Sequence, residues 1–431
     1  MVVVGPLEEI RHILSRFSMF LGFPLIVRGK RADIIEFDKT YTYKAAVLAL
    51  VKVTPIMAIV LWVYHDPTID VDDFRSIARS YGLSAMDILA QFILNAVAMI
   101  SNFLFFTSFT LQRHKMSNLC QNLSQLSVHF PIRSMAVQSR RKSTKYTCLI
   151  NVISILAVFF LGWSWHLLCE EYFPTNNPVL KWLTLVTLCA QAIFGFCSAM
   201  ICAAEYLLHY MITILSLHFF AWSQMIEKLR PMTLGDTQTE STEKKDLKKP
   251  EADFQAIINH GLSLCEVVDE FNHVFGMFVL NSGISSALSA VISSYISKSI
   301  LFQPKIGVLV ICFSASFGLL GAFFFLRIFF LSRAGQALID GKQQALKSLE
   351  DHLLSQPETR ADQDFRLGVL IRRLGTKEAI SPQNFFTLSN RSFLSGMGVI
   401  LTYLIVLMQF KASEGPDYPV LPNNLTLFKL Q

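Results

Sequence analysis

The chain has 431 residues, of which 52% are hydrophobic, 12% aromatic and only 16% charged, and its mean hydropathy is +0.43. Soluble domains carry about 25% charged residues, so this composition excludes an ordinary soluble protein and favours a multispan membrane protein. The net charge of +6 would suggest nucleic acid in a soluble protein. In a membrane protein basic residues mainly report topology, so we predict no nucleic-acid partner.

In chain order, residues 1–42 carry charges throughout and show no signal-peptide pattern, which predicts a cytosolic N-terminal segment. Apolar segments of roughly 20 residues or more, the length that crosses a bilayer, then follow. The predicted spans, one to seven, are residues 43–64, 84–112, 147–168, 182–207, 274–297, 306–331 and 391–410.

Lys and Arg residues predict the orientation of these spans, because cytoplasmic loops retain them. The N-terminal segment and the three long connections hold 28 of the 38, counting Arg327 at the inner end of span six. The short connections and the C-terminal tail hold 7. The N-terminus is therefore predicted to be cytosolic and, after seven crossings, the C-terminus extracellular. A G-protein-coupled receptor would have the opposite orientation.

The cytosolic connections contain further predicted helices. Apolar residues at helical spacing extend span four inward, precede span five as an amphipathic helix and continue beyond span six. Residues within 230–251 are polar and charged, which predicts a disordered linker. The predicted units are 1–42; spans one to four with the inward extension, 43–229; the linker, 230–251; the amphipathic helix with spans five and six, 252–331; cytosolic anchor helices, 332–390; span seven, 391–411; and the extracellular tail, 412–431.

Motifs for catalysis or metal binding are missing from the sequence. The eight cysteines form no CxxC pair, and no His/Cys cluster has zinc-ligand spacing. There is no HExxH, GxSxG, Walker or dinucleotide-binding pattern. We therefore expect neither an enzyme nor a bound cofactor or metal.

The last span, which includes TYLIVLMQF at 402–410, has two unlike faces. At 100° per residue, one face is small or polar and the other carries large apolar side chains. Polar groups at membrane depth face a bundle interior or a water-filled cavity. Such a face suits helix packing as well as a pore, but an amide and an aromatic ring at the outer end favour a pore constriction. The residues on this face are Ser395, Gly398, Val399, Thr402, Val406, Gln409, Phe410 and Ser413.

This motif resembles the signature of insect gustatory receptors: Thr-Tyr, five mostly hydrophobic residues, then Gln-Phe. Here it reads Thr402, Tyr403, LIVLM, Gln409, Phe410, preceded by the similar FFTLSNRSFLSGMGVIL. The chain also resembles the family in length, span number and orientation.

The resemblance implies an all-α, ligand-gated, non-selective cation channel. It implies a homotetramer, or a heteromer with related receptors, in the plasma membrane of sensory neurons. The last span of each subunit would line a central pore, with Gln409 and Phe410 at the constriction and Thr402 and Val406 deeper on the same face. Ser413, on that face of the helix, is a further candidate pore residue. Cytosolic helices would form the contact layer between subunits. A small-molecule tastant would bind in the outer half of each bundle, and membrane lipid and permeant cations are the other expected partners.

Polar and aromatic residues in the outer halves of the spans are the predicted ligand contacts. Aromatic rings with a few polar groups suit a small organic ligand or a sugar, although Trp and Tyr also favour the membrane interface and serines also pack helices. The candidates are Asp87, Gln91, Trp163, Trp165, His166, Trp182, Gln191, Ser289, Ser293 and Tyr295.

Two further expectations concern function and modification. A secondary transporter of a small polar solute is the alternative, since polar residues within spans can also form a substrate path; the halves of the chain show no internal repeat that would favour it.

Of three glycosylation sequons, Asn122 and Asn390 lie on the predicted cytosolic side, and Asn424 lies in the predicted extracellular tail. We therefore expect glycosylation at Asn424.

Overall fold

A computed structural model of the chain describes residues 26–28, 35–37, 85–129, 207–228, 248–301, 308–354, 361–376, 379–382 and 385–413, together with Glu205 and single positions between 149 and 160. These residues are helical or connect helices, except for one short hairpin. In it β1 (Ile26–Arg28) pairs antiparallel with β2 (Ile35–Phe37). The sequence predicted no strand in residues 1–42, because three-residue strands are too short to show a two-residue period.

The helices are numbered here in chain order among the described residues, and these numbers are not those of the predicted spans. They are α1 (Ala85–Leu111), α2 (Arg113–His129), α3 (residues 207–228), α4 (Lys248–Leu301), α5 (Val308–Leu354), α6 (Ala361–Thr376) and α7 (Asn390–Ser413).

Three of the described helices are long and apolar enough to cross a membrane: Gln255–Leu301 in α4, Ile311–Leu354 in α5, and α7. They contain predicted spans five and seven and most of predicted span six. Helix α1 covers almost the same residues as predicted span two. Helix α4 has 54 residues and is therefore about 80 Å long, far more than the roughly 30 Å of a hydrocarbon core.

Continuity of α4 follows from its sequence. Its only proline, Pro250, stands in the first turn, where a missing N–H removes no internal hydrogen bond. The next proline, Pro304, lies beyond the last helical residue, Leu301. The helix therefore passes without interruption through the predicted amphipathic segment and the predicted fifth span.

Two apolar cores hold the helices together. The larger joins α2, α3, the first half of α4, the second half of α5, α6 and the segment before α7. In it the fully buried Trp222 donates its indole Nε1–H to the carbonyl oxygen of Ile257 at 3.0 Å. The smaller core joins α1, the second half of α4 and the first half of α5, and α7 packs against it through Leu404, Leu407 and Met408.

The segment before α7 crosses α5 at a glycine. A Cβ on Gly335 would lie only 2.2 Å from the carbonyl oxygen of Leu388, so the crossing requires a residue without a side chain. The backbone N–H of Leu388 also donates to the carbonyl oxygen of Ile380 at 2.8 Å. This close approach fixes where α7 begins relative to α5.

Candidate functional site

Helix α7 packs on the rest of the chain through one face only. Ile400 is its single buried residue, and Leu404, Leu407 and Met408 are partly buried on the same side. Near the start of the helix, the Phe393 ring stands edge-on to Phe325 of α5 at 6.0 Å between centroids. The packed face is thus large and apolar.

The opposite face of α7 is exposed in the isolated chain, and it is the small and polar face that the sequence defined. Every residue predicted to line a pore lies on it: Thr402, Val406, Gln409, Phe410 and Ser413 are all exposed. The motif residues therefore lie off the packed face, on an exposed surface that also includes Leu394, Leu401 and Ile405. An exposed face of this kind in a membrane helix must meet lipid, another subunit or water.

Two hydroxyl groups on this face donate their hydrogen bonds to backbone carbonyl oxygens of the same helix. Thr402 Oγ1 donates to the carbonyl oxygen of Gly398 at 2.8 Å, and Ser413 Oγ donates to that of Phe410 at 2.7 Å. With the proton committed to the backbone, the oxygen lone pairs of Thr402 and Ser413 remain available away from the helix. Together with the Gln409 amide they offer oxygen atoms that can partly replace the hydration of a cation.

The candidate ligand residues that the structure describes lie on α1 and α4. Ser289, Ser293 and Tyr295 are buried on α4, at 2%, 0% and 0% exposure. The hydroxyl oxygens of Ser293 and of nearby Ser286 have no hydrogen-bond partner among the described residues. Such buried polar atoms require a partner, and a ligand hydroxyl or water would supply one.

The remaining candidates are less informative. Gln91 lies in α1. Five predicted ligand residues fall outside the described part of the chain: Trp163, Trp165, His166, Trp182 and Gln191. The sequon at Asn424 also lies outside it.

Asp87 is buried in a polar cluster at one end of the smaller core. Its carboxylate accepts a hydrogen bond from Ser299 Oγ of α4, and its Oδ2 lies 3.0 Å from Lys411 Nζ of α7. Lys411 also donates to the carbonyl oxygen of Ser299 at 3.3 Å. We refer to Asp87, Ser299 and Lys411 as the outer cluster, because the predicted topology places these helix ends on the extracellular side.

A second ion pair lies toward the opposite ends of the spans. Arg327 of α5 binds Glu205 through two hydrogen bonds, and Ser282 of α4 donates to the same carboxylate. The guanidinium also lies over the rings of Phe323 and Phe324, at 5.5 and 5.6 Å from their centroids. We refer to Glu205, Ser282 and Arg327 as the inner cluster.

Between the two clusters, small polar side chains connect neighbouring helices. Asn281 of α4 donates to the carbonyl oxygen of Ser101 in α1 at 3.0 Å, and Ser101 bonds to Ser285 at 3.1 Å. Ser297 of α4 and Ser314 of α5 each donate to the other's carbonyl oxygen, at 2.8 and 2.9 Å. Short side chains let these helices approach closely, as is typical of membrane bundles.

Sequence reasoning missed the partners in both clusters. Glu205 and Arg327 lie within predicted spans, where a charge by itself indicates a paired or functional group, and that signal was present in the sequence. Lys411 directly follows the Gln-Phe motif and gave a weaker signal. Ser299 gave none, because serine is common in such helices.

The comparison with protein families decides the identity of the fold. The family described as 7tm chemosensory receptor matches residues 14–414. The chain belongs to this family. The receptor is accordingly a helical, membrane-associated chemoreceptor of the insect type, and the resemblance drawn from its last span is confirmed at the level of the family.

Solved structures similar to this receptor agree with that assignment. The insect olfactory receptor OR5 from Machilis hrabei matches with a TM-score of 0.64 at 14% identity, covering 94% of this chain and 99% of that one. The same receptor in complex with eugenol matches with a TM-score of 0.62 at 13% identity and the same coverage. None of the curated proteins compared with the sequence matches it. At these identities the structures establish the fold of the receptor.

Proposed function

We propose that this receptor is a gustatory-type, ligand-gated, non-selective cation channel, opened directly by a small-molecule tastant. The observation that carries the proposal is the burial pattern of α7. The helix packs through its apolar face and leaves Thr402, Val406 and Gln409 uncovered. Around the central axis of a homotetramer, or of a heteromer with related receptors, four such faces enclose a pore.

The chemistry of this face suits slow passage of hydrated cations. The hydroxyl oxygens of Thr402 and Ser413 and the amide oxygen of Gln409 are neutral ligands, so they solvate cations without selecting strongly among them. Phe410 narrows the outer end, and an aromatic ring there opposes ions by excluding water. A change in the rotation of α7 exchanges Phe410 for Gln409 at the constriction.

Ligand binding is placed in the outer half of the bundle, where α1 and α4 carry Gln91, Ser289 and Ser293. The buried Ser293 hydroxyl, which has no hydrogen-bond partner among the described residues, supports a polar contact there. The solved relative in complex with eugenol supports a small organic ligand for this fold. In the plasma membrane of a sensory neuron such a ligand would reach the site from outside or from the surrounding lipid.

Whole-cell recording tests the function directly. Cells that express this chain alone are exposed to a panel of sugars, bitter compounds and other small organic molecules. We expect a ligand-dependent cation current that persists when G-protein signalling is blocked. Ligand-driven uptake of the solute without current would contradict a channel and favour a transporter.

Glycosylation tests the proposed orientation independently of any current. Asn424 is expected to carry a glycan, and Asn424→Gln to remove the mobility shift that glycosidase produces. Asn122 serves as the matched control: its amide donates to Glu270 at 2.8 Å within the predicted cytosolic layer, so Asn122→Gln should leave the shift unchanged. Loss of the shift only in Asn122→Gln would invert the topology.

A further inference from the structure

Three helix ends meet in the outer cluster. Asp87 stands in the first turn of α1, Ser299 in the last turn of α4, and Lys411 in the last turn of α7. The cluster therefore joins the helix that carries the Gln-Phe motif to the two described helices that carry candidate ligand residues. Its three side chains come from positions up to 324 residues apart in sequence.

Burial makes the contact between Asp87 and Lys411 energetically important. The Asp87 side chain is 2% exposed and that of Lys411 is 20% exposed. A carboxylate taken out of water is stable only with a charged partner and hydrogen bonds, and removal of one partner leaves an uncompensated charge. Helix ends add to the effect, because an anion is favoured at the start of a helix and a cation at its end.

Lys411 lies on the side of α7 opposite Gln409, and about 100° around the helix axis from Phe410. It follows Gln409 by two residues, which is about 200° around the helix axis. When Lys411 is held against α1 and α4, Gln409 must point away from the packed core, and Phe410 lies to the side between the two. The ion pair, together with the apolar packing of Leu407 and Met408, thus holds the rotation of the outer end of α7.

We propose that the outer cluster sets the rotational position of the outer end of α7 and transmits movement of α1 and α4 to the constriction. Asp87 and Lys411 are then positioning residues for the gate, and Asp87 acts through Lys411 rather than by direct contact with a ligand. This proposal rests on the proposed channel function. A shift of the proposed ligand-binding helices displaces Asp87 and Ser299, and the partly buried Lys411 ammonium group, bonded to both, moves with them.

Charge exchange tests the proposal. Asp87→Lys and Lys411→Asp are each expected to shift the ligand concentration for half-maximal current by roughly tenfold, within the usual range of coupling between sites. The double variant restores the pair with reversed polarity, and we expect its half-maximal concentration to return most of the way to the original value. A double variant whose shift equals the product of the two single shifts would overturn the proposal.

Lys298→Glu is the matched control. Lys298 is an exposed lysine in the last turn of α4, next to Ser299, so its reversal changes the local charge without touching the ion pair. We expect no shift in the half-maximal concentration. An equal shift in this variant would show that the outer cluster acts only through the general electrostatic field.

A labelling experiment separates failure of this proposal from failure of the channel function. The rate at which a membrane-impermeant thiol reagent labels Gln409→Cys at the cell surface reports the position of α7 without any current. We expect the rate to change severalfold on adding Lys411→Asp and to recover when Asp87→Lys is added as well. Absence of current in the unmodified chain would contradict the proposed function, whereas unchanged labelling in all backgrounds would contradict the outer cluster.

Milder variants cover the case in which charge reversal prevents folding. Ser299→Ala removes a hydrogen-bonding group but no charge, and Lys411→Arg keeps the charge. We expect Ser299→Ala to change the labelling rate in the same direction as Lys411→Asp and Lys411→Arg to preserve the original rate. The reverse order would overturn the proposal.

Discussion

Arg327 and Glu205 form a two-point ion pair between predicted spans six and four: Nε lies 2.8 Å from Oε2 and Nη2 lies 2.5 Å from Oε1. The Arg327 side chain is 4% exposed. Two parallel hydrogen bonds between a planar guanidinium and a carboxylate give the pair a fixed geometry. Because each charge is the other's main compensation, and Ser282 of α4 donates to the same carboxylate, the pair ties three helices together.

Replacing one partner of this ion pair should reduce the stability of the fold more than replacing both partners with apolar residues. Arg327→Met leaves Glu205 uncompensated, and we expect a loss of about 3–5 kcal/mol in stability with little protein at the cell surface. The double variant Arg327→Met with Glu205→Leu should recover much of that loss. Thermal unfolding in detergent and surface biotinylation measure the effect.

Arg333→Met is the control for this experiment, since Arg333 is an exposed arginine on the same helix. It should unfold at nearly the original temperature. If the double variant is no more stable than Arg327→Met alone, the pair is not the source of the loss.

The constriction makes a second prediction. Gln409→Ala and Phe410→Ala should both change unitary conductance. Phe410→Ala should also raise the basal leak, because it removes the aromatic ring that excludes water from the proposed constriction. Leu401→Ala is the matched control: Leu401 and Phe410 are both 58% exposed on α7, but Leu401 lies away from the polar face. Leu401→Ala should leave the conductance unchanged. If single-channel recording finds the conductance of the unmodified channel in all three variants, Gln409 and Phe410 do not line the pore.

The close approach of Gly335 to the carbonyl oxygen of Leu388 leads to a third prediction. Gly335→Ala places a methyl group 2.2 Å from a backbone oxygen, which cannot move away as a flexible side chain could. We expect destabilisation of about 1–3 kcal/mol, with altered gating because α7 begins just beyond this contact. Thermal unfolding and the ligand response measure the two effects.

Gly368→Ala is the opposite case, since a Cβ at Gly368 meets no atom within 4 Å. It should stabilise α6 by about 0.5–1 kcal/mol through the better helix propensity of alanine. Destabilisation of equal size in both variants would show that the close approach at Gly335 is not the cause.

A buried histidine in α3 predicts a pH dependence of stability. Burial lowers the pKa of the His218 imidazole to about 4 from an ordinary 6.5. Below pH 6.5 the unfolded chain therefore binds a proton that the folded chain does not, so stability is complete above pH 6.5 and falls as pH drops toward 4. The full effect is about 3 kcal/mol, and about 1 kcal/mol of it should be lost by pH 5.5.

The measurement is the unfolding temperature of the detergent-solubilised receptor between pH 7.5 and 5.5. His218→Asn should flatten this dependence, whereas His114→Asn, which replaces an exposed histidine of α2, should not. Equal slopes in the two variants would assign the pH dependence to other groups. The ring of His260 lies 6.1 Å from that of His218, so His260→Asn is the next variant to compare.

How far the sequence predicted the structure depends on the range of each signal. Hydropathy is local, and the described helices α1, α4, α5 and α7 cover all or nearly all of predicted spans two, five, six and seven. The two faces of α7 were also readable, because Thr402, Val406 and Gln409 recur at helical spacing. The hairpin at Ile26–Arg28 was missed, since it is too short to show a period.

Long-range pairing was the part that the sequence could not predict. Asp87 looked like a ligand contact because a carboxylate at the end of a span requires a partner, and nothing local to it showed that the partner would be Lys411. The approach of Leu388 to Gly335 likewise depends on a crossing of two segments. Such contacts arise from the tertiary arrangement and leave no periodic trace in either segment.

The unbroken course of α4 has a mechanical consequence. A helix of 54 residues without an internal proline has no proline kink to uncouple its two ends, so a rotation applied at one end can reach the other. Its first half lies in the larger core with Trp222, and its last turn holds Ser299 beneath Lys411. We therefore expect substitutions in the predicted cytosolic layer, some 50 Å or more along this helix from the proposed constriction, to change ligand sensitivity as strongly as substitutions beside the proposed gate.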